Sequence, residues 1–374
     1  MTEAPNGTDA SAIERPIPEI SWFSALCDDD YQFLGVPDPA LASSWPHCRD
    51  IVQTADRLGY DNVLLPSGYN LGIDAPAFAS AIATATNDIN LLLALRMGEM
   101  WLPQLARQVA TIDQFAQGRL SVNIISSDIP GETLESEPRY QRTLEYMEVL
   151  RQLLDGKAID YHGEFVNLTL DPPRVRTVNG LCPPLYFGGF SEAAKETAAA
   201  AADVFLTWPD TVASVAETVA DMERRASAKG RRLRYGLRTH IIVRETEAEA
   251  RAAADLLISR LDDSTGTKIR NRSLDAASVG VSRQAELRST ADGEGYAEPN
   301  LWTGIGRARS GAGAAIVGDP DQIVATLNAY QDVGIDAFIL SGYPHISEAE
   351  LVAQHILPRI PHQPFKPTYS SEQV

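Results

Sequence analysis

INLLLALR, residues Ile89–Arg96, is an apolar run with no period-two alternation, ended by an arginine. A strand with one wet face alternates apolar and polar side chains; a run like this belongs to a strand covered on both faces, as in a parallel sheet lined by helices. The same strand signal recurs on both sides of it. ISWFSAL (Ile20–Leu26) and NVLLPS (Asn62–Ser67) lie upstream. LSVNIIS (Leu120–Ser126), PLYFGG (Pro184–Gly189), VFLTW (Val204–Trp208), RYGLRTHIIV (Arg234–Val243) and AFILSGY (Ala337–Tyr343) lie downstream. Helical periods fall between them: Ser44–Leu58 closing at Gly59, Ala75–Thr86, Pro103–Ala116 closing at Gly118, and Arg139–Leu154 closing at Gly156. Ser191 caps a helix to Ala202, and Val212–Ala228, Glu247–Arg260, Pro320–Val333 and Ser347–His355 complete the set.

Strands joined by crossover helices run parallel, and eight such units predict a (β/α)8 TIM barrel with insertions. The alternative is a doubly wound open sheet, but its dinucleotide fingerprint, GxGxxG after the first strand, is missing. Residues 20–361 read as one barrel domain, after a disordered lead-in (1–19) and before a tail (362–374). Lys157–Cys182 is an irregular excursion. Asp262–Asn300 is polar without a clear period and too long for a passive connection, which predicts a mobile lid over about residues 262–314, between strands seven and eight.

The 374 residues are 44% apolar and 22% charged, which excludes a disordered or collagen-like chain. No apolar run is long enough to cross a bilayer. The first residues lack the basic and apolar regions of a secretory signal, and the three cysteines, Cys27, Cys48 and Cys182, lack CxxC spacing, so reduced thiols and a cytoplasmic location are expected. Lys plus Arg is 32 against 50 Asp plus Glu, a net charge of −18. Such a surface repels nucleic acid and anionic lipid over roughly 8 Å at physiological salt. No His pattern with metal spacing and no GxSxG elbow is present, so neither a metal centre nor a serine hydrolase is expected.

Barrel chemistry collects where strands run into their following loops. Those positions are Ser24, Ser67, Arg96, Asn123, Ser126, Gly188, Gly189, Trp208, Arg238, His240 and Tyr343. Arg238 and His240 are two apart on one strand and share a face, turned inward if Leu237, Ile241 and Val243 face the helices. Glu99 is the one acid near a strand end available as their counter-charge. WTGIGRARSGAGAAIVGDP (Trp302–Pro320) reads as a flexible Gly-rich arm that carries an arginine over the site, or as a phosphate cradle. YFGGFSEAA (Tyr186–Ala194) reads as an anion site at a helix N-terminus, or as packing. His345 reads as a loop residue. The residues by themselves lead to a barrel that binds two anions.

ADRLGYDNVLLPSG, LRYGLRTHIIVRET, PNLWTGIGRARSGAGAAIVGD and FILSGYPH together resemble the two-component, flavin-dependent alkanesulfonate monooxygenases of the bacterial luciferase-like superfamily, over about Ile20–Pro361. The resemblance implies a barrel that uses reduced FMN (FMNH2) from a separate NAD(P)H-dependent FMN reductase, together with O2, to cleave a carbon–sulfur bond and release sulfite and an aldehyde. By the same resemblance Arg238, His240, Arg309 and Tyr343 are catalytic, with Trp208 beside them at the sulfonate. Ser126, Ser127, Tyr140, Gly188, Gly189 and Ser191 hold the FMN phosphate, with Ser67 and Asn123 also on the cofactor, and the protein is a homodimer or homotetramer. Linear-alkanesulfonate members carry a Cys in the loop after strand two; here that loop is SGYNLGID (Ser67–Asp74), and Tyr69 and Asn70 offer polar groups instead. With Asp28–Asp30 and Glu99 nearby, this tilts the expected organosulfonate towards a sulfosugar such as sulfoquinovose, since a buried unpaired hydroxyl costs roughly 1–3 kcal/mol. A linear alkanesulfonate enzyme, a deazaflavin enzyme and a non-catalytic flavin or anion-binding barrel are the alternatives.

Overall fold

The structure, a computed structural model, describes residues 16–271, 278–309 and 311–365. Most of the expected lead-in and the tail beyond residue 365 lie outside the described residues. Eight parallel strands close on themselves in the order β1 (Glu19–Phe23), β2 (Asn62–Leu65), β3 (Asn90–Arg96), β4 (Leu120–Ile125), β7 (Leu185–Gly188), β8 (Val204–Thr207), β9 (Arg234–Val243) and β13 (Ala337–Ser341), which pairs back onto β1. This is the (β/α)8 barrel that the alternation predicts.

The run around β3 is buried on both faces. Leu91, Leu93 and Leu95 join the shell between sheet and helices, while Leu92 and Ala94 join the cluster inside the barrel with Phe23, Tyr186 and Ile339. Each such leucine contributes roughly 1.5–3 kcal/mol on burial, so a one-residue slip would be costly. The outer helices start and stop where their caps dictate. For α1 (Trp45–Leu58), Ser44 accepts from the His47 amide and Gly59 leaves at φ 83°. For α7 (Glu247–Ile258), Thr246 and Glu249 form a capping box, and for α10 (Pro320–Asp332), Asp319 and Gln322 do the same.

Two stretches differ from the sequence reading. Among its described residues, Asp262–Asn300 holds two helices, α8 (Asp263–Arg270) capped by Asp262 and α9 (Val279–Ser289) capped by Ser278. Both are short and polar, and α9 buries only Gly280, Gln284 and Leu287, too few positions to write a helical period. The Gly-rich arm is not wholly loop either. Ala315–Gly318 is a strand, β12, parallel to the outer half of β9, and β10 (Tyr296–Glu298) and β11 (Leu301–Trp302) add to its free edge. β9, ten residues long, pairs with β8 over 234–237, with β13 over 236–240 and with β12 over 240–243. The excursion at 157–182 holds a separate hairpin, β5 (Ile159–His162) with β6 (Asn167–Leu170).

The floor of the barrel is polar. Glu19 is fully buried and accepts from Tyr186 Oη at 3.0 Å, Asn62 Nδ2 at 3.3 Å and the Phe365 amide at 3.0 Å. The Phe365 ring lies against Arg234, 4.4 Å from its guanidinium, so the last described residues cap the base. Burial raises the Glu19 carboxyl above its usual range, against these hydrogen bonds and the nearby Arg234. A carboxyl raised on folding stabilises the fold fully below its unfolded value, near 4.5, and loses that contribution as pH rises through the folded value. Glu19→Gln should therefore melt with a flatter pH dependence above pH 4.5 than the parent protein, the gap widening as pH rises. Parallel melting curves from pH 4.5 to 8 would refute a raised Glu19 carboxyl.

Candidate active site

At the strand C-termini a cavity of about 200 Å³ opens between the loops after β1, β2 and β3 and the insertion before β13. Phe23, Cys27, Asp29, Ser67, Tyr69, Asn70, Arg96, Arg309 and Tyr343 are on its walls. Arg309 arrives on the Gly-rich arm. Its Nη1 donates to Asp29 Oδ2 and to Tyr343 Oη, both at 2.6 Å, and its guanidinium stands 5.3 Å from the Phe23 ring centre. Arg307, the other arginine of GRARSG, stays on the surface beside Asp263.

Arg238 and His240 turn inward from β9, as their spacing requires. They are screened from the cavity by Phe23, whose ring lies 4.3 Å from the Arg238 guanidinium, and by Tyr343, whose ring centre is 5.2 Å from that of His240. Arg238 donates to the Thr239 carbonyl at 2.7 Å and to Ser341 Oγ at 2.9 Å, and among the described residues no carboxylate pairs with it. Burial, then the neighbouring Arg309, pulls its pKa down to about 9. His240 lies well below the ordinary histidine value, by burial and then by the charges of Arg238 and Arg309. Its Nδ1 is 2.8 Å from Ser341 Oγ. Arg238 can only donate to that oxygen, which leaves the Ser341 hydrogen free to point at Nδ1, the arrangement in which neutral His240 carries its proton on Nε2. The Ala312 carbonyl faces the ring, but Nε2 has no well-formed hydrogen bond among the described residues, and neither has Arg309 Nε. Three adjacent donor groups thus converge with too few acceptors, the electrostatics of a site for an anion.

The expected counter-charge, Glu99, is elsewhere: it pairs with Arg96 Nη1 at 2.6 Å. Asp29 supplies the acid at Arg309 instead, because the turn after β1 swings it across the barrel mouth. Trp208 is not brought to the cavity wall. It packs on Phe190 at 5.9 Å between ring centres and lies under α9, where a Cβ on Gly280 would come within 2.7 Å of its ring. His345 is not a loop residue: it opens α11 (His345–His355), fully buried beside Phe23 and Tyr343, with both ring nitrogens unpartnered. Cys27, read from sequence as an ordinary thiol, borders the cavity and packs against Gly68 of the loop after β2, and burial pushes its thiol up to about 12.

The other predicted group sits around the start of α5 (Glu192–Ala201). Ser191 caps that helix. A Cβ on Gly189 would lie 2.5 Å from Ala194 Cβ and 3.5 Å from Tyr140 Oη, and one on Gly188 would strike the Leu206 carbonyl at 2.0 Å, so only glycine fits there. Ser126 accepts from Thr143 Oγ1 at 2.8 Å, and Ser127 accepts from Arg96 Nε at 2.7 Å. Asn123 lies on β4 in register with Tyr186. Arg139, which sequence reasoning passed over, lies 5.4 Å from the Tyr140 ring centre and has a buried, unpartnered Nε. Its position on α4 (Ser136–Leu154) beside Tyr140 was the one available clue.

The class of protein is set by the family match, which the closed barrel and its inserted arm agree with. The chain belongs to the luciferase-like monooxygenase family, which it matches over residues 32–337, and it is a flavin-dependent monooxygenase. It is similar to the sulfoquinovose monooxygenase of Novosphingobium aromaticivorans, 61% identical over 353 residues covering 92% of this chain and 98% of that protein. It is also similar to the sulfoquinovose monooxygenase of Agrobacterium fabrum, 52% identical over 345 residues covering 91% and 89%. Among solved structures, the riboflavin lyase RcaE, crystallised with modified FMN and riboflavin, shares the fold at a TM-score of 0.75 and 15% identity, covering 94% of each chain. No helix among the described residues is long and apolar enough to cross a membrane.

Proposed function

We propose that this monooxygenase cleaves the carbon–sulfur bond of an organosulfonate, with sulfoquinovose or a related sulfosugar as substrate. The observation that carries the reading is the pair Arg238–His240: two buried groups with hydrogen to donate, no carboxylate paired with them among the described residues, and a third donor, Arg309, nearby on a separate segment. A sulfonate is a permanent anion with three acceptor oxygens and matches such a set. The two similar sulfoquinovose monooxygenases, and the polar Ser67, Tyr69 and Asn70 on the cavity wall, favour a hydroxylated substrate over a plain alkyl chain.

The cofactor that suits the second group of residues is FMN. The glycine cradle beside Tyr140 Oη, the amides at the start of α5 and the orphaned Nε of Arg139 fit a phosphate dianion. Reduced FMN, delivered by a separate NAD(P)H-dependent reductase, would supply two electrons for splitting O2, one oxygen atom ending in the aldehyde and the other in water as sulfite leaves. The chain's own residues bind and shield. Arg238 and His240 Nε2–H would take sulfonate oxygens once Phe23 and Tyr343 shift aside, with Ser341 favouring the histidine tautomer that donates. Tyr343 Oη, its pKa raised by burial despite Arg309, keeps its proton and can donate it as a hydrogen bond. The 262–314 insertion is read as the lid: it brings Arg309 over the anion and keeps water out.

The test is sulfite release with FMN, a flavin reductase, NADH and O2 over a panel of sulfonates. Sulfoquinovose should give the highest kcat/KM. A clear preference for octanesulfonate would assign a linear-alkanesulfonate enzyme, and no sulfite from any sulfonate would overturn the reaction.

A further inference from the structure

We infer that Asp29 is the residue that reads a substrate hydroxyl, and that it does so with the carboxylate oxygen it does not use to hold Arg309. The inference rests on the sulfonate reading above and adds the group that selects what is attached to the sulfonate.

Three aspartates follow one another after β1, and the structure sends each a different way. Asp28 takes a left-handed backbone conformation, φ 54°, uncommon for a residue with a side chain, and its Oδ1 accepts from the Ser43 amide at 2.8 Å. Asp30 is saturated: Oδ1 accepts from the Tyr31 amide at 2.9 Å and the His345 amide at 3.0 Å, and Oδ2 meets His47 Nε2 at 2.9 Å. Asp29, between them, is only half used. Oδ2 holds Arg309 at 2.6 Å, while Oδ1 is buried and without a partner. The residue is 8% exposed and borders the cavity.

The character of that oxygen decides what can sit on it. Tyr69 and Asn70 are exposed, so water satisfies them whether or not a ligand is present. Asp29 Oδ1 is closed to water in this conformation, so a donor reaches it only when the cavity wall rearranges around substrate, and a buried carboxylate oxygen left unpaired is costly. It accepts only, so it repels the sulfonate and wants a hydrogen-bond donor. An alkyl chain offers none; a sugar hydroxyl does. Holding Arg309 through Oδ2 while binding a hydroxyl through Oδ1 would set the distance between the sulfonate group and the hydroxyl in one side chain. A charge-assisted bond of this kind is worth a factor of about 10–100 in affinity.

The test compares Asp29→Ala and the shape-conserving Asp29→Asn with the parent protein, using sulfoquinovose and hexanesulfonate. Dissociation constants are read by calorimetry with oxidised FMN present, and kcat/KM by sulfite release. Asp29→Ala should weaken sulfoquinovose about 10–100-fold more than hexanesulfonate. Asp29→Asn should lie between it and the parent, and it carries the comparison if the alanine variant fails to fold. Equal losses on both ligands would overturn the assignment, since a residue that merely positions Arg309 serves every sulfonate alike. A parent protein that binds and oxidises neither ligand overturns the sulfonate reading itself, and the Asp29 assignment with it.

Discussion

Arg238→Met should lower kcat/KM for sulfite release by roughly 10³-fold while leaving the melting temperature unchanged or higher. The two halves of that expectation have one cause. Arg238 is buried and, among the described residues, paired with no carboxylate; a carbonyl, a hydroxyl and the face of Phe23 hold it. Removing a desolvated, uncompensated charge relieves the folded state, and methionine of similar length fills the space. The same removal takes from a bound anion its main partner, a loss of about 2–5 kcal/mol. Activity bought at the expense of stability is the usual signature of a binding group. His240→Ala should also abolish turnover, through loss of the free Nε2–H. A variant of Arg238 that melts lower but turns over normally would make it a structural residue.

Arg309→Met should also lose activity, by a comparable factor, but with the opposite effect on stability. Here a carboxylate does depend on the arginine: Asp29 Oδ2 lies 2.6 Å away, and the two side chains are 12% and 18% exposed. Together with Tyr343, that carboxylate raises the arginine's pKa against the effect of burial. Methionine would leave Asp29 without a counter-charge at the cavity wall. Breaking a fully buried pair costs about 3–5 kcal/mol, and the remaining exposure reduces this to roughly 1–3 kcal/mol. Thermal melts and sulfite assays on the two variants side by side check the pair of expectations. Equal stability changes would show that the arginines sit in equivalent fields, against the geometry.

Arg96 links the two proposed groups of residues, since it bonds Ser127 and also lines the cavity. The two groups were nonetheless separately visible in the sequence. Each is carried by a short local pattern, a strand end followed by a helix start, which chain order alone makes neighbours.

The sequence by itself determined the barrel. The β3 run cannot be wetted on either face, the eight strand–helix alternations leave few parallel topologies, and the period of two on β9 points Arg238 and His240 inward. It also located Arg309 on an arm rather than in a strand. What only the tertiary structure decided is pairing across the mouth. Glu99, three residues from Arg96, turned out to belong to it; Asp29, 280 residues from Arg309, holds that arginine; Trp208 withdrew under α9; and His345 became core. Periodicity reports which face a side chain takes, because neighbouring backbone units share one geometry. It carries no information on which loop lies opposite, since that is set by barrel closure and by how far each loop can fold back over the strand ends, and so the partner of every charge at the mouth had to await the fold.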